Sequence, residues 1–204
     1  MAYNKLKTAL VGALAIGATS MAFAADEKPL MSGASASMLA NTCAGCHGTH
    51  GASAGPATPS IGGISAVYFE EVMQDFKSGE VKSTIMGRIA AGYSDEEIKA
   101  MGDYFSKQPF VAASQSSDAA LAKEGAKLHE KYCEKCHADG GTSAEDDSGI
   151  LAGQLTPYLH FTIADFKAGD REMPKKMSKQ FTNLMKKEGD AGLEALLNFY
   201  AQGK

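Results

Sequence analysis

The 204-residue chain lacks several features that define common functional classes. Its 20 lysines and arginines are outnumbered by 24 aspartates and glutamates, and a net charge of −4 removes the electrostatic basis for binding nucleic acid or anionic lipid. It has no Gly-x-Gly-x-x-Gly dinucleotide loop and no alternating β-strand pattern. Beyond the N-terminal segment, no apolar run is long enough to cross a bilayer. These absences indicate an acidic protein without β-strands, and they argue against a nucleic-acid-binding or dinucleotide-binding function.

The first 24 residues predict a secretory signal peptide. Lys5 and Lys7 give the start a positive charge, an apolar run covers 8–21, and Ala-Phe-Ala at 22–24 matches the small-residue cleavage pattern. A retained membrane anchor is the weaker alternative, because the apolar run is short for a membrane helix. We therefore expect cleavage before Ala25 and a periplasmic protein.

Only four cysteines are present, and all of them lie in two copies of one motif. The copies are Cys43-Ala-Gly-Cys46-His47 and Cys133-Glu-Lys-Cys136-His137. Cys-x-x-Cys-His is the attachment signature of haem c: two thiols form thioethers with the porphyrin, and the histidine ligates the iron. A four-thiolate zinc site is the alternative, but the two cysteine pairs lie far apart and zinc needs no histidine after each pair. The motifs therefore predict two covalent haems.

The two motifs belong to an internal repeat. Cys43 and Cys133 are 90 positions apart, and at that offset 12 of the 38 residue pairs between 43–80 and 133–170 are identical. The identities reach Tyr68/Tyr158, well beyond the motif. Such a repeat indicates a tandem duplication.

Helical signals recur in the same order in both halves. Helices are predicted over 36–42 and 119–132 before the motifs, over 66–77 and 157–167 in the middle, and from Ser94 and over 192–202 at the end. Gly79 and Gly169 end the middle helices, and a methionine-bearing loop follows each. The sequence predicts an all-α protein of two tandem class I cytochrome c domains, each wrapped around one covalently attached haem. We place them at 25–107 and 119–204, with a linker over 108–118.

Four residues are the expected iron ligands. His47 and His137 directly follow the second cysteine of each motif, which makes them the proximal ligands. Methionine is a frequent sixth ligand in cytochromes c, and its thioether raises the reduction potential. Met86 follows the middle helix of the first half, and one inserted residue brings Met177 to the matching position of the second half. We therefore predict Met86 and Met177 as distal ligands.

Other methionines and histidines are the alternatives. Met73 and Met185 fall within predicted helices and are expected to pack in the core. Met173 competes with Met177, but it needs a three-residue deletion to match Met86, so we expect it to pack one helical turn away. His160, in the second middle helix, is the remaining histidine alternative.

Each proximal histidine also needs an acceptor for its other ring nitrogen. A backbone carbonyl within 56–61 suits the first site, and one within 146–150 suits the second. The first of these loops contains Pro56 and Pro59, whereas the second has no proline and carries Asp146 and Asp147, so the two loops differ in stiffness and charge. Because these loops differ, we expect two low-spin irons with unequal potentials.

Longer strings around the motifs resemble one family. They are Cys-Ala-Gly-Cys-His-Gly-Thr-His-Gly (43–51), Phe-Lys-Ser-Gly-Glu-Val-Lys-Ser-Thr-Ile-Met-Gly-Arg-Ile (76–89), Lys-Leu-His-Glu-Lys-Tyr-Cys-Glu-Lys-Cys-His (127–137) and Ile-Leu-Ala-Gly-Gln-Leu-Thr-Pro-Tyr-Leu (150–159). The tandem arrangement resembles dihaem cytochromes of the c4 type, and the strings resemble the cytochrome subunit of flavocytochrome c sulfide dehydrogenase.

The resemblance implies a function for the whole chain. In that family, a separate subunit binds FAD and oxidises sulfide in the periplasm, and the dihaem subunit passes the electrons to a soluble cytochrome c. The chain would then be an electron-transfer subunit with no catalytic residue of its own. The alternatives are a free-standing c4-type carrier to a terminal oxidase and a dihaem peroxidase. The peroxidase is disfavoured because both irons have a methionine candidate.

Overall fold

The computed structural model describes residues 33–145 and 148–203, and the predicted signal peptide lies outside them. Within these ranges the chain is helical, with no β-strand. The helices are α1 (Ala36–Asn41), α2 (Ala44–His47), a 3-10 turn (Thr49–Gly51), α3 (Ala66–Ser78), α4 (Met86–Ala90), α5 (Asp95–Phe105), α6 (Ala119–Tyr132), α7 (Ala138–Gly141), α8 (Thr156–Ala168), α9 (Lys175–Lys187) and α10 (Gly189–Tyr200). The predicted all-α class is therefore confirmed.

Local capping sets where several helices begin and end. The Ser94 hydroxyl accepts from the Glu97 N–H, and the Glu97 carboxylate accepts from the Ser94 N–H, so the predicted capping box at the start of α5 is present. Gly79 and Gly169 end α3 and α8 with φ of 84° and 76°, which glycine adopts without a steric penalty. Both middle helices match their predicted ranges to within one residue at each end.

The first half folds around a core beneath its motif. Helix α1 packs against α5, and α3 packs against both α4 and α5. Ile98 and Met101 of α5 are fully buried there, and the Phe69 and Phe105 rings lie with their centroids 5.4 Å apart. This core supports α2, which carries the first motif.

The second half repeats the plan with longer helices. Helix α6 packs along α10, and α9 packs against both of them. Leu128, Leu184 and Leu197 form the centre of this core. At Gly125 the backbones of α6 and α10 come so close that an added Cβ would lie 2.0 Å from the Ala195 carbonyl oxygen.

The second half departs from prediction after its middle helix. The expected methionine-bearing loop is largely the thirteen-residue helix α9, so Met177 is helical rather than in a loop. Phe181, Leu184 and Met185 explain the difference, because they recur at helical spacing and pack against the core. Met185 is thus a core residue, as predicted. The last helix, α10, spans Gly189–Tyr200, where 192–202 was predicted.

The predicted linker, 108–118, contains no regular element but lies against the second half. The Ala113 N–H donates to the Gly153 carbonyl at 2.8 Å, and the Gln115 side chain donates to the Gln154 carbonyl at 2.8 Å. Ile150 of the second half is buried in the core of the first half. The two halves therefore pack together, while the domain boundaries we assign stay predictions.

No helix in the described part of the chain combines the length and apolar character needed to cross a bilayer.

Candidate haem attachment sites

Both motifs fold into the same single helical turn. The His47 N–H and Cys46 N–H donate to the Cys43 carbonyl at 2.9 and 3.2 Å. The corresponding bonds from His137 and Cys136 to the Cys133 carbonyl are 3.0 and 3.1 Å. Residues three and four apart in such a turn share a face, so each motif presents its two thiols and its imidazole to the same side.

None of the four cysteines forms a disulfide. Cys46 and Cys136 are exposed, and burial raises the pKa of the Cys43 and Cys133 thiols. Within 33–145 and 148–203, no cluster of three or more histidine, cysteine or acidic side chains is arranged to bind a metal ion. A zinc site built from both cysteine pairs would be such a cluster, so the described residues do not form the four-thiolate site of the zinc alternative.

Each motif histidine is held in one tautomer. His47 Nδ1 lies 2.8 Å from the Pro59 carbonyl oxygen, and His137 Nδ1 lies 3.2 Å from the Gly149 carbonyl oxygen. A carbonyl can only accept, so Nδ1 carries the proton and Nε2 keeps its lone pair for a metal. Burial also lowers the pKa of both histidines, which favours the neutral form that can act as a ligand. Both carbonyls lie in the predicted loops.

These donors fit haem c. Each motif supplies two unpaired thiols for thioether bonds and one neutral imidazole with a free Nε2. Cys43 and Cys46, or Cys133 and Cys136, would hold the porphyrin, and the following histidine would bind its iron.

The two methionine candidates for the distal ligand of the first half, Met86 and Met73, differ in how deeply they are buried. Met86 is the first residue of α4, is half-buried, and packs with Cys43 against the same core. Met73 is only 5% exposed in that core, as expected of a packing residue. Met86 stays the predicted distal ligand.

The second half has two half-buried distal candidates. Met177 is the third residue of α9, and Met173 lies before Pro174, outside the helix, so the two are not one helical turn apart. Met173 also lines an open cleft of about 850 Å³ beside Phe166 and Phe181. His160 is 45% exposed and lies 3.8 Å from the Glu194 carboxylate. Met177 stays the predicted ligand, with Met173 as its rival.

Leucine substitutions distinguish the two methionines. Met177→Leu is expected to remove the second haem's share of the near-infrared methionine–iron(III) charge-transfer band, because leucine fills the same space without a sulfur ligand. Met173→Leu is the matched control and should keep the band. Absorption spectra of the oxidised proteins make the measurement. Loss of the band in Met173→Leu alone would transfer the ligand role to Met173.

Sequence reasoning missed a buried polar network in the second motif. His129, which is 2% exposed, donates from Nε2 to the Glu134 carboxylate at 2.6 Å, and its Nδ1 lies 2.9 Å from the Tyr200 hydroxyl. Glu134 also accepts from the Asp139 and Gly140 N–H groups at 3.0 and 3.2 Å. Burial opposes ionisation of Glu134, but these hydrogen bonds outweigh it and lower the pKa of the carboxyl.

A difference between the two copies of the repeat could have indicated this network. At the 90-residue offset, His129 corresponds to Leu39 and Glu134 to Ala44, so the first half has neither group. A polar pair present in only one copy of a duplication marks a function or contact specific to that copy. Here it ties the second motif to α6 and α10.

A second polar cluster that sequence reasoning did not predict, Arg171 with two tyrosines, lies between the two halves. The Arg171 guanidinium is held near Tyr68 and Tyr158, the tyrosine pair that the repeat had matched, and its Nη2 lies 3.4 Å from the Tyr68 hydroxyl. Arg171 is the donor in this contact, and the Tyr68 oxygen accepts. Burial raises the pKa of the Tyr68 phenol, which keeps it protonated. Lys82 and Asp170 form an exposed ion pair at the same contact.

Two tandem helical domains, each with a thiol pair and an oriented imidazole, define a c-type cytochrome that transfers electrons. The chain belongs to the cytochrome c family. The family model for cytochrome c matches residues 33–108. The thiosulfate dehydrogenase electron acceptor of Stutzerimonas stutzeri (strain A1501) is 32% identical over 173 residues, which cover 80% of each protein.

Two further relatives bear on the type of cytochrome. The cytochrome subunit of sulfide dehydrogenase from Chlorobaculum tepidum is 50% identical over 68 residues, which cover 33% of this chain and 61% of that protein. The crystal structure of reduced recombinant cytochrome c4 from Pseudomonas stutzeri superposes with a TM-score of 0.70 at 25% identity, covering 82% of this chain and 96% of that one. The fold is thus the tandem class I arrangement of the dihaem c4 cytochromes.

Proposed function

We propose that the chain binds two haems c and is the electron-transfer subunit of a flavocytochrome c sulfide dehydrogenase. It accepts electrons from a subunit whose FAD oxidises sulfide, and it passes them to a soluble cytochrome c. The observation that carries this proposal is the 50% identity over 68 residues to a sulfide dehydrogenase cytochrome subunit, together with the resemblance of the strings around both motifs.

Each site residue has one role in this function. Cys43, Cys46, Cys133 and Cys136 fix the haems by thioether bonds, His47 and His137 are the proximal ligands, and Met86 and Met177 are the distal ligands. The bound iron supplies a one-electron carrier. The chain orients each imidazole through a hydrogen bond from Nδ1 to a backbone carbonyl, which keeps a proton on Nδ1 and leaves Nε2 for the metal.

Carrier function is favoured over peroxidase function by the distal methionines. A peroxidase needs an iron with an open or displaceable position. Met86 packs against the first core, and Met173 and Met177 are the half-buried candidates of the second half, so each half offers a thioether for the sixth position. Soft thioether ligation stabilises the reduced state and suits electron transfer.

The second candidate function has the same cytochrome accepting electrons from a different dehydrogenase. The relative that aligns over 80% of the chain is a thiosulfate dehydrogenase electron acceptor, so a thiosulfate-oxidising partner would place the same cytochrome beside another enzyme. A free-standing c4-type carrier to a terminal oxidase would share the fold and every ligand. The partner, and not the haem sites, separates these functions.

Purification from the native source under mild conditions tests the proposal. We expect stoichiometric flavin to co-elute with the cytochrome on a sizing column, and sulfide to reduce added cytochrome c through the complex. The intact mass of the cytochrome should equal residues 25–204 plus two haems, as expected for an exported periplasmic protein. Cytochrome c reduction by thiosulfate without flavin would favour the second candidate, and a flavin-free protein inert to both would indicate a c4-type carrier.

A further inference from the structure

One peptide group of the first domain joins two hydrogen bonds in series. Its carbonyl, on Pro59, accepts from His47 Nδ1 at 2.8 Å, and its N–H, on Ser60, donates to Gln154 Oε1 at 2.9 Å. Gln154 belongs to the second half of the chain, 94 residues from Ser60. A continuous chain of hydrogen bonds therefore runs from the second domain to the proximal ligand of the first.

The Gln154 amide can have only one orientation in this contact. Its Nε2 donates to the Ser60 carbonyl at 2.9 Å while its Oε1 accepts from the Ser60 N–H. Because a backbone N–H only donates and a carbonyl only accepts, a flipped amide would lose both bonds. The Leu155 N–H also donates to Oε1 at 3.2 Å.

Burial makes this contact electrostatically strong. Ser60 is 2% exposed and Gln154 is 4% exposed, so water does not compete for the bonds. Hydrogen bonds in series polarise one another, by roughly 10–30% per bond in condensed-phase estimates. An acceptor at the Ser60 N–H therefore makes the Pro59 carbonyl oxygen more negative, and it holds the His47 Nδ1 proton more strongly.

The second site has no equivalent of this amide. At the 90-residue offset, Gln154 corresponds to Ile64, which has no polar side-chain atom and is buried in the first half. The bond from His137 to the Gly149 carbonyl is also longer, at 3.2 Å. The arrangement thus acts on one haem site and not on the other.

We propose that Gln154 is a positioning residue for the first iron, acting from the second domain through the Pro59–Ser60 peptide on His47. A more basic proximal imidazole stabilises Fe(III), so Gln154 lowers the potential of the first haem and contributes to the inequality between the two. The inference rests on haem ligation by His47 and is independent of which dehydrogenase supplies the electrons.

Two substitutions of Gln154 test the sign of the effect. Gln154→Met keeps the length of the side chain but removes the acceptor, and it should shift the first haem's potential upward and speed exchange of the His47 Nδ1 proton several-fold. Gln154→Glu keeps an acceptor facing the Ser60 N–H, so it should not raise that potential. The second haem should be unchanged in Gln154→Met.

Redox titration of the isolated holoprotein, followed by NMR of the haem methyl signals, gives the potential of each haem. Gln115→Leu is the matched control, because Gln115 bonds to the Gln154 carbonyl and the Thr156 N–H at 2.8 and 3.0 Å but does not touch the Pro59–Ser60 peptide. An unchanged first potential in Gln154→Met, or equal shifts in Gln154→Met and Gln115→Leu, would overturn the proposal. Absence of a haem spectrum would instead overturn haem attachment itself.

Discussion

Met86→Leu is expected to lower the potential of the first haem by a few tenths of a volt and to remove its methionine–iron(III) charge-transfer band. The thioether favours Fe(II), and axial ligands tune haem potentials over a range of roughly 0.8 V. Leucine matches methionine in volume, so the packing of residue 86 against the first core is retained. The change therefore reports on ligation rather than on folding. Redox titration and near-infrared absorption measure it.

Met73→Leu is the control for this substitution. Met73 is a buried core residue of the same domain, and a volume-conserving change there usually costs less than about 1.5 kcal/mol. The band and both potentials should stay as in the parent protein. If Met86→Leu kept the band while Met73→Leu lost it, the distal ligand of the first haem would be Met73.

The features that could be predicted from sequence depend on neighbouring residues. The capping box of Ser94 and Glu97 uses two residues three positions apart, and Gly79 ends α3 by its own backbone conformation. The attachment motif is equally local, because one helical turn places its thiols and imidazole together. Such signals need no knowledge of the rest of the chain.

The features that could not be predicted depend largely on contacts between residues far apart in the sequence, such as His129 with Tyr200 and Ser60 with Gln154. Nothing near Gln154 in the sequence indicates that its amide meets Ser60, which the motif loop 48–63 buries against the second half. Asp146 and Asp147 of the acidic loop lie outside the described residues. Met177 shows a related limit, because the offset that places it does not show whether its segment is a loop or a helix.

The two copies of the repeat differ in polarity at three positions that make buried or partly buried hydrogen bonds. His129, Glu134 and Gln154 each replace an apolar residue of the first copy, namely Leu39, Ala44 and Ile64. All three make hydrogen bonds that are buried or partly buried in the structure. Identities in a duplication reveal the shared fold, and polar differences reveal what each copy does separately.

Gly125→Ala is expected to destabilise the second domain by roughly 2 kcal/mol. Alanine normally favours a helix over glycine by about 1 kcal/mol, so the sign depends on the space around the residue. Here the new Cβ would lie 2.0 Å from the Ala195 carbonyl oxygen and 2.8 Å from the Phe199 Cβ. The obstacle is the backbone of α10, which cannot move as a side chain can. Helices α6 and α10 would therefore have to separate, and overpacking outweighs the gain in helix propensity.

Urea unfolding of the holoprotein, followed by circular dichroism and by the haem absorption, measures this loss. Gly45→Ala is the control, since no protein atom of the described residues lies within 4 Å of its added Cβ and the second motif carries Lys135 at the matching position, so the unfolding midpoint should be nearly unchanged. The damage should concentrate in the second domain, because the α6–α10 contact carries Leu128 and Leu197 of its core. An unfolding midpoint for Gly125→Ala equal to that of the parent protein would show that the two helices separate at little cost.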